Sequence, residues 1–150
     1  KIFEFLLQMI HLKEQMKNQS SYDISTRDHY TEEYCTIQLN VGRQVGHTTA
    51  IMKLIEHYSL QKKKILVIAP ALRFIEKLQR KMDSIVDFEM KQYVYFETEN
   101  TCMDNTRGLS IDLIIFDMFS VSSAKDSKEF KNHLRLLGSQ NKNFMMVLLG

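Results

Sequence analysis

The sequence predicts an α/β fold, a mainly parallel five-stranded sheet with helices on both faces. Five short apolar segments, "YCTIQLNV", "ILVIAP", "QYVYFE", "DLIIFD" and "FMMVLL", are set along the chain at intervals. Stretches with three- and four-residue apolar spacing lie between several of them, and strands alternating with helices of this length form parallel sheets covered on both sides. "ILVIAP" is apolar throughout and stopped by Pro70, as a strand buried on both faces must be.

Taken in order, Ile2, Phe3, Leu6, Met9, Ile10, Lys13 and Met16 recur at helical spacing, so an amphipathic helix opens the chain. The polar stretch "SSYDISTRDHYTEE" reads as a connector with a short helix starting near Ser25. In "YCTIQLNV" the residues Cys35, Ile37, Leu39 and Val41 alternate with polar ones, a period of two that marks a strand. The next helix shows Ala50, Ile51, Leu54, Ile55 and Tyr58 on one face and ends before Lys62, Lys63 and Lys64, cations suited to a helix C-terminus. A further helix, "LRFIEKLQRKMDSI", spaces Phe74, Leu78, Met82 and Ile85. "NTCMDNTRGLS" reads as a loop, and "DSKEFKNHLRLLG" as a helix closed by Gly138.

The 150 residues, 44% hydrophobic, suit one domain with an unaided core, 1–33 being a helical extension. The chain begins at Lys1 and stops at Gly150 directly after an apolar run, so it reads as part of a longer polypeptide. A formal charge of +2 leaves partners open. Cys35 and Cys102 are far apart, with no metal-type spacing to any of the five histidines, which suits free thiols in a reducing compartment and disfavours zinc. With no apolar run near the ~20 residues of a membrane span and no cleavable leader pattern, the expectation is a cytoplasmic protein with no membrane partner. "SVSSAKDS" lacks the G-x-S-x-G elbow of an acyl-transfer enzyme.

The chemistry is concentrated in "VGRQVGHTT". A phosphate-binding loop needs glycine for close backbone approach, amide groups at a helix N-terminus, a cation on the outer phosphates and a hydroxyl on Mg²⁺. Here Gly42 and Gly46 supply the glycines, Thr48 stands where the metal-binding hydroxyl belongs, and His47 takes the lysine's place. Histidine is shorter and about neutral at pH 7, so binding should weaken and catalysis more so. Some 70 residues downstream "DLIIFD" ends in Asp117, where a carboxylate can hold the metal.

"GRQVGHTT" resembles the R-Q-x-G-K-T-T loop of phage large-terminase ATPases, the DNA-packaging motors, which group with superfamily 2 helicases as RecA-like P-loop proteins. "ILVIAPALRFIEKLQRKM" is similar to the strand-Ala-Pro-helix segment that follows that loop, and "LIIFDMFSV" resembles the box of four apolar residues, Asp and Glu. The likeness runs from about Cys35 to Gly150. It implies a RecA-like P-loop NTPase fold that binds ATP and Mg²⁺ through Gly42, Arg43, Gln44, Val45, Gly46, His47, Thr48 and Thr49. It further implies Arg43 acting on the phosphates and Asp117 anchoring the metal with Thr48. Two departures stand out: His47 replaces the lysine, and Met118 replaces the glutamate that polarises the attacking water.

Removing a charge-stabilising contact or a base each costs ~10²–10⁴ in rate, so the resemblance points to a degenerate site with weak or no hydrolysis. Arg43 leaning onto the phosphates, and Glu97 or Glu99 orienting water, are the available compensations. Implied roles are DNA packaging or another DNA transaction, with DNA, a viral assembly or further copies of the chain as partners, and the host cytoplasm as location if a phage encodes it. The alternatives are a non-hydrolysing interaction module, its first helix docking on a partner, and an active lobe completed by another subunit. Tyr22, Tyr30 and Tyr34 lie where related ATPases stack adenine, although such tyrosines are more often packing residues. Arg73 and Lys77 are candidates for nucleic-acid backbone or a solvated helix face. "TENTCMDNTRGLS", with Arg107, is expected to be a mobile surface loop or an ordinary connector.

Overall fold

The protein is described by a computed structural model covering residues 2–19, 35–40 and 46–150. The elements run α1 (Ile2–Gln19), β1 (Thr36–Leu39), α2 (His47–Leu60), β2 (Ile65–Ala69), α3 (Leu72–Asp83), a 3₁₀ turn (Phe88–Tyr93), β3 (Val94–Thr98), α4 (Cys102–Asn105), β4 (Leu113–Phe116), a second 3₁₀ turn (Phe119–Val121), α5 (Lys128–Leu137) and β5 (Met145–Leu149). All five strands are parallel, in the order β1-β5-β4-β2-β3.

The layering follows from that order. The steps from β1 to β2 and from β2 to β3 move one way across the sheet, and the steps back through β4 to β5 move the other. With one crossover hand throughout, helices of the outward steps share a face and those of the return share the opposite one. Accordingly α2 and α3 pack with α1 around Ile37, Ile65, Val67, Leu113, Ile115 and Val147. On the other face, α4 and α5 pack on Leu66, Ile68, Ile114 and Phe116. β2, β4 and β5 are buried along their whole length, which explains why they read as unbroken apolar runs.

Several sequence expectations are refined. The alternation of "YCTIQLNV" is realised in four residues, Thr36–Leu39. On α3 the buried stripe is Ile75, Leu78 and Met82, while Phe74 is half-buried and Ile85 is exposed beyond the helix. The expected loop "NTCMDNTRGLS" contains α4, whose Cys102 is fully buried. Thr106 closes that turn, its Oγ1 donating to the Cys102 carbonyl at 2.6 Å and lying 2.7 Å from His133 Nε2 on α5. Because the hydroxyl proton points at the carbonyl, the imidazole must donate to Thr106 from Nε2. Arg107 lies on the surface, 3.5 Å from Asp104. α1 joins the first core through Leu6 and Ile10, and Lys17 near its end is buried with Nζ donating to the Phe144 carbonyl at 2.6 Å. Burial holds that ammonium's pKa below the ordinary lysine value. Among the described residues no helix is long and apolar enough to cross a membrane.

Candidate anion site at the start of α2

β1 delivers the chain to the C-terminal edge of the sheet, the edge at which open α/β sheets bind ligands. α2 then starts at His47 behind Gly46, whose φ of +90° lies in the left-handed region. A Cβ at position 46 would meet nothing within 4 Å, so glycine is required there by backbone conformation and not by space. Among the described residues no side chain caps this helix, and its first backbone bond runs from the Ala50 N–H to the Gly46 carbonyl at 3.0 Å. The amides of His47, Thr48 and Thr49 therefore precede the helical ladder, and the helix dipole adds partial positive charge where they cluster.

Bare amides alone do not mark a site, since α3 also starts without a side-chain cap, at Ala71. What distinguishes α2 is its first side chain. His47 is only 5% exposed, and its Nε2 is buried with no hydrogen-bond partner among the described residues. Leaving a buried polar atom unmatched costs about 1–3 kcal/mol, a cost that an acceptor from a ligand would remove. Thr48 is half-buried and Thr49 exposed.

Asp117 follows β4 directly. Its N–H donates to the Ile68 carbonyl at 2.8 Å, fixing it beside β2, and its Oδ1 accepts the Met118 N–H at 3.0 Å. Register puts it level with the end of β1: Phe116 pairs with Leu148, which pairs with Gln38, so the next row holds Leu39, Leu149 and Asp117. Only β5 separates the two strands. At strand spacings of ~4.8 Å, β1 and β4 lie about 10 Å apart. Asp117 is 7% exposed, and Met118 after it turns the chain at φ +58°. The structure thus brings Gly46, His47, Thr48, Thr49 and Asp117 to one edge of the sheet. Gly42, Arg43, Gln44 and Val45 lie outside the described residues, as do Tyr22, Tyr30, Tyr34 and the short helix expected near Ser25.

The two carboxylates expected from the sequence to orient water, Glu97 and Glu99, are already engaged. Glu97 accepts from Thr101 Oγ1 and Asn105 Nδ2, both at 2.8 Å, and so holds α4. Glu99 accepts from the hydroxyls of Ser122 and Ser123, tying the segment after β4 to the end of β3. Sequence reading missed this clamp because its partners lie 23 and 24 positions apart with no local signal. Arg73 and Lys77 are exposed on α3, with Arg73 4.8 Å from the Phe74 ring centre. Both cysteines are buried and free, and burial pushes Cys102 up to about 11, so neither is a nucleophile at neutral pH. Among the described residues no three His, Cys, Asp or Glu side chains gather into a metal-binding group. Magnesium in a nucleotide site needs fewer, one or two protein oxygens with phosphates supplying the rest.

Compared with known proteins, the chain matches no family model and no curated relative.

Proposed function

We propose that this chain is a nucleotide-binding domain of the RecA-like P-loop type, holding ATP with Mg²⁺ between the start of α2 and Asp117, and serving a DNA transaction such as packaging. The observation that carries the reading is the buried, unpartnered Nε2 of His47 on the first residue of an uncapped helix. An anion there would accept from the amides and from the imidazole together, which satisfies the donors that the protein leaves unmatched. Thr48 and Asp117 would hold the metal, supplying oxygen ligands at the edge where the phosphates end. ATP with its metal is the substrate class that such a cup suits.

Turnover is slow or absent in this reading. Met118 has no proton to exchange, and Glu97 and Glu99 are committed to α4 and to the serine pair. That commitment also favours the second reading, a non-hydrolysing interaction module built on the same fold.

Calorimetry decides whether nucleotide binds. ATP with Mg²⁺ should bind with measurable heat, and His47→Lys should tighten it about tenfold by placing a full charge on the phosphates. Absence of heat at millimolar ATP in both proteins would end the nucleotide assignment. Steady turnover that disappears in Asp117→Asn would instead replace the inert module by an enzyme.

A further inference from the structure

Lys17, near the end of α1, and Cys35, just before β1, meet inside the protein. Lys17 is 7% exposed and Cys35 4% exposed. Both are anchored to the start of β5. The Phe144 carbonyl accepts from Lys17 Nζ at 2.6 Å, and two residues on the Met146 N–H donates to the Cys35 carbonyl, also at 2.6 Å. The same Nζ stands within hydrogen-bond reach of the Cys35 sulfur. Burying an amine is costly, and an apolar residue at position 17 would join α1 to the sheet without that cost. What the lysine adds is a nitrogen beside a thiol.

No second thiol of the chain competes for that place. Cys102, the other cysteine, lies on α4, which Glu97 holds to β3. β1 and β3 are the opposite edges of the sheet, ~19 Å apart at ordinary strand spacing.

From this juxtaposition we infer that Cys35 and Lys17 are a modification site, at which hydrogen peroxide joins sulfur to nitrogen in a sulfenamide cross-link. The Cys35 sulfur attacks one peroxide oxygen as the O–O bond breaks, and the thiol proton leaves with the departing oxygen as water, giving a sulfenic acid. The lone pair of the Lys17 amine then attacks that sulfur. An S–N bond replaces the S–O bond, and the hydroxyl leaves with an amine proton as a second water. One peroxide is reduced, and the sulfur loses two electrons.

Burial suits this chemistry. It disfavours the ammonium, which leaves a nucleophilic amine, and it shields the S–N bond from water. It also keeps the thiol protonated and inert at neutral pH, so the reaction quickens as pH rises and the thiolate forms. Among the described residues Lys13 and Glu14 of α1 are the other charges that act on the pair, with opposite signs. The inference does not depend on nucleotide binding.

The test treats the whole chain with hydrogen peroxide at about pH 9, where the thiol is partly ionised, and reads peptide maps by mass spectrometry. The expected product is a peptide pair linked through residues 17 and 35, lighter by two hydrogens than the two free peptides, and released by dithiothreitol. In Lys17→Met the sulfenic acid should persist and be trapped by dimedone, which should label the parent far less. The linked pair, read on the unaltered chain, stands even if that variant fails to fold. An unlinked chain, oxidation of Cys35 to the sulfinic acid without linkage, a disulfide to Cys102, or equal dimedone labelling of parent and folded variant would overturn the inference. A linked pair heavier by one oxygen than the sulfenamide would overturn the S–N bond in favour of an N–O–S bridge.

Discussion

Two helices begin at the same edge of the sheet in opposite ways. α5 starts behind Ser127, whose hydroxyl accepts the Phe130 N–H at 3.2 Å, and Phe130 then plugs into the core against Phe116, 5.9 Å between ring centres. α2 starts behind a left-handed glycine, and among the described residues it has no side-chain cap and its first side chain is a buried imidazole lacking a partner. Within one chain, then, the first turn of α5 is finished by the protein's own groups, while the first turn of α2 keeps one buried imidazole nitrogen unmatched among the described residues, at a cost in stability. That difference separates an end that holds the fold from the one on which the proposed anion site rests.

The largest effect is expected at the capped helix, α5. Phe130→Ala should destabilise the protein by about 3–5 kcal/mol in urea unfolding, because it empties the contact that seats α5. A loss below 1 kcal/mol would mean that α5 is not anchored as described. Next come two changes of similar size and opposite sign. Ser127→Ala should cost about 1 kcal/mol by removing the cap. His47→Leu should raise stability by about 1 kcal/mol, since it removes an unmatched polar atom and improves helix propensity, while weakening ATP binding at least tenfold. If His47→Leu destabilised the fold and left ATP affinity unchanged, the imidazole would be a packing residue and the contrast would fail.

The smallest effect is a titration. Burial, then the charge of Arg107, lowers the pKa of His133 below its ordinary 6.5. The unfolded chain therefore takes up the proton first, and this stability contribution is fully present above about pH 6.5 and declines as pH falls through the folded value. Denaturant midpoints should fall modestly on acidification, with His133→Gln flattening that part of the profile. A midpoint in the parent that rises as pH drops from 7 to 5.5 would contradict the placement of His133 against Thr106.

How much of this was legible in the sequence depends on range. β2, β4 and β5 announce themselves because strands buried on both faces must be apolar throughout, and α5 carries its own stop signal in Gly138. α4 was hidden because its four residues, "CMDN", are mostly polar and are held by Glu97 from the preceding strand. Spacing alone favoured Phe74 over Ile75 on α3, since both fit a helical stripe and only the neighbouring sheet decides between them. At the candidate site the residue types were legible, but neither the isolation of His47 Nε2 nor the engagement of Glu99 by two serines was. Both are properties of burial and long-range contact that no local pattern encodes.

The position of β5 has a consequence for how the molecule assembles. β4, β2 and β3 can pair from one continuous stretch of chain, but among the described strands β1 pairs with β5, so it joins the sheet when the fifth strand slides in between. Such a long-range closure is slow and late. The two halves of the candidate cup are therefore strangers until the final strand is seated, and a ligand spanning them would report on the finished molecule and on no partly folded form of it.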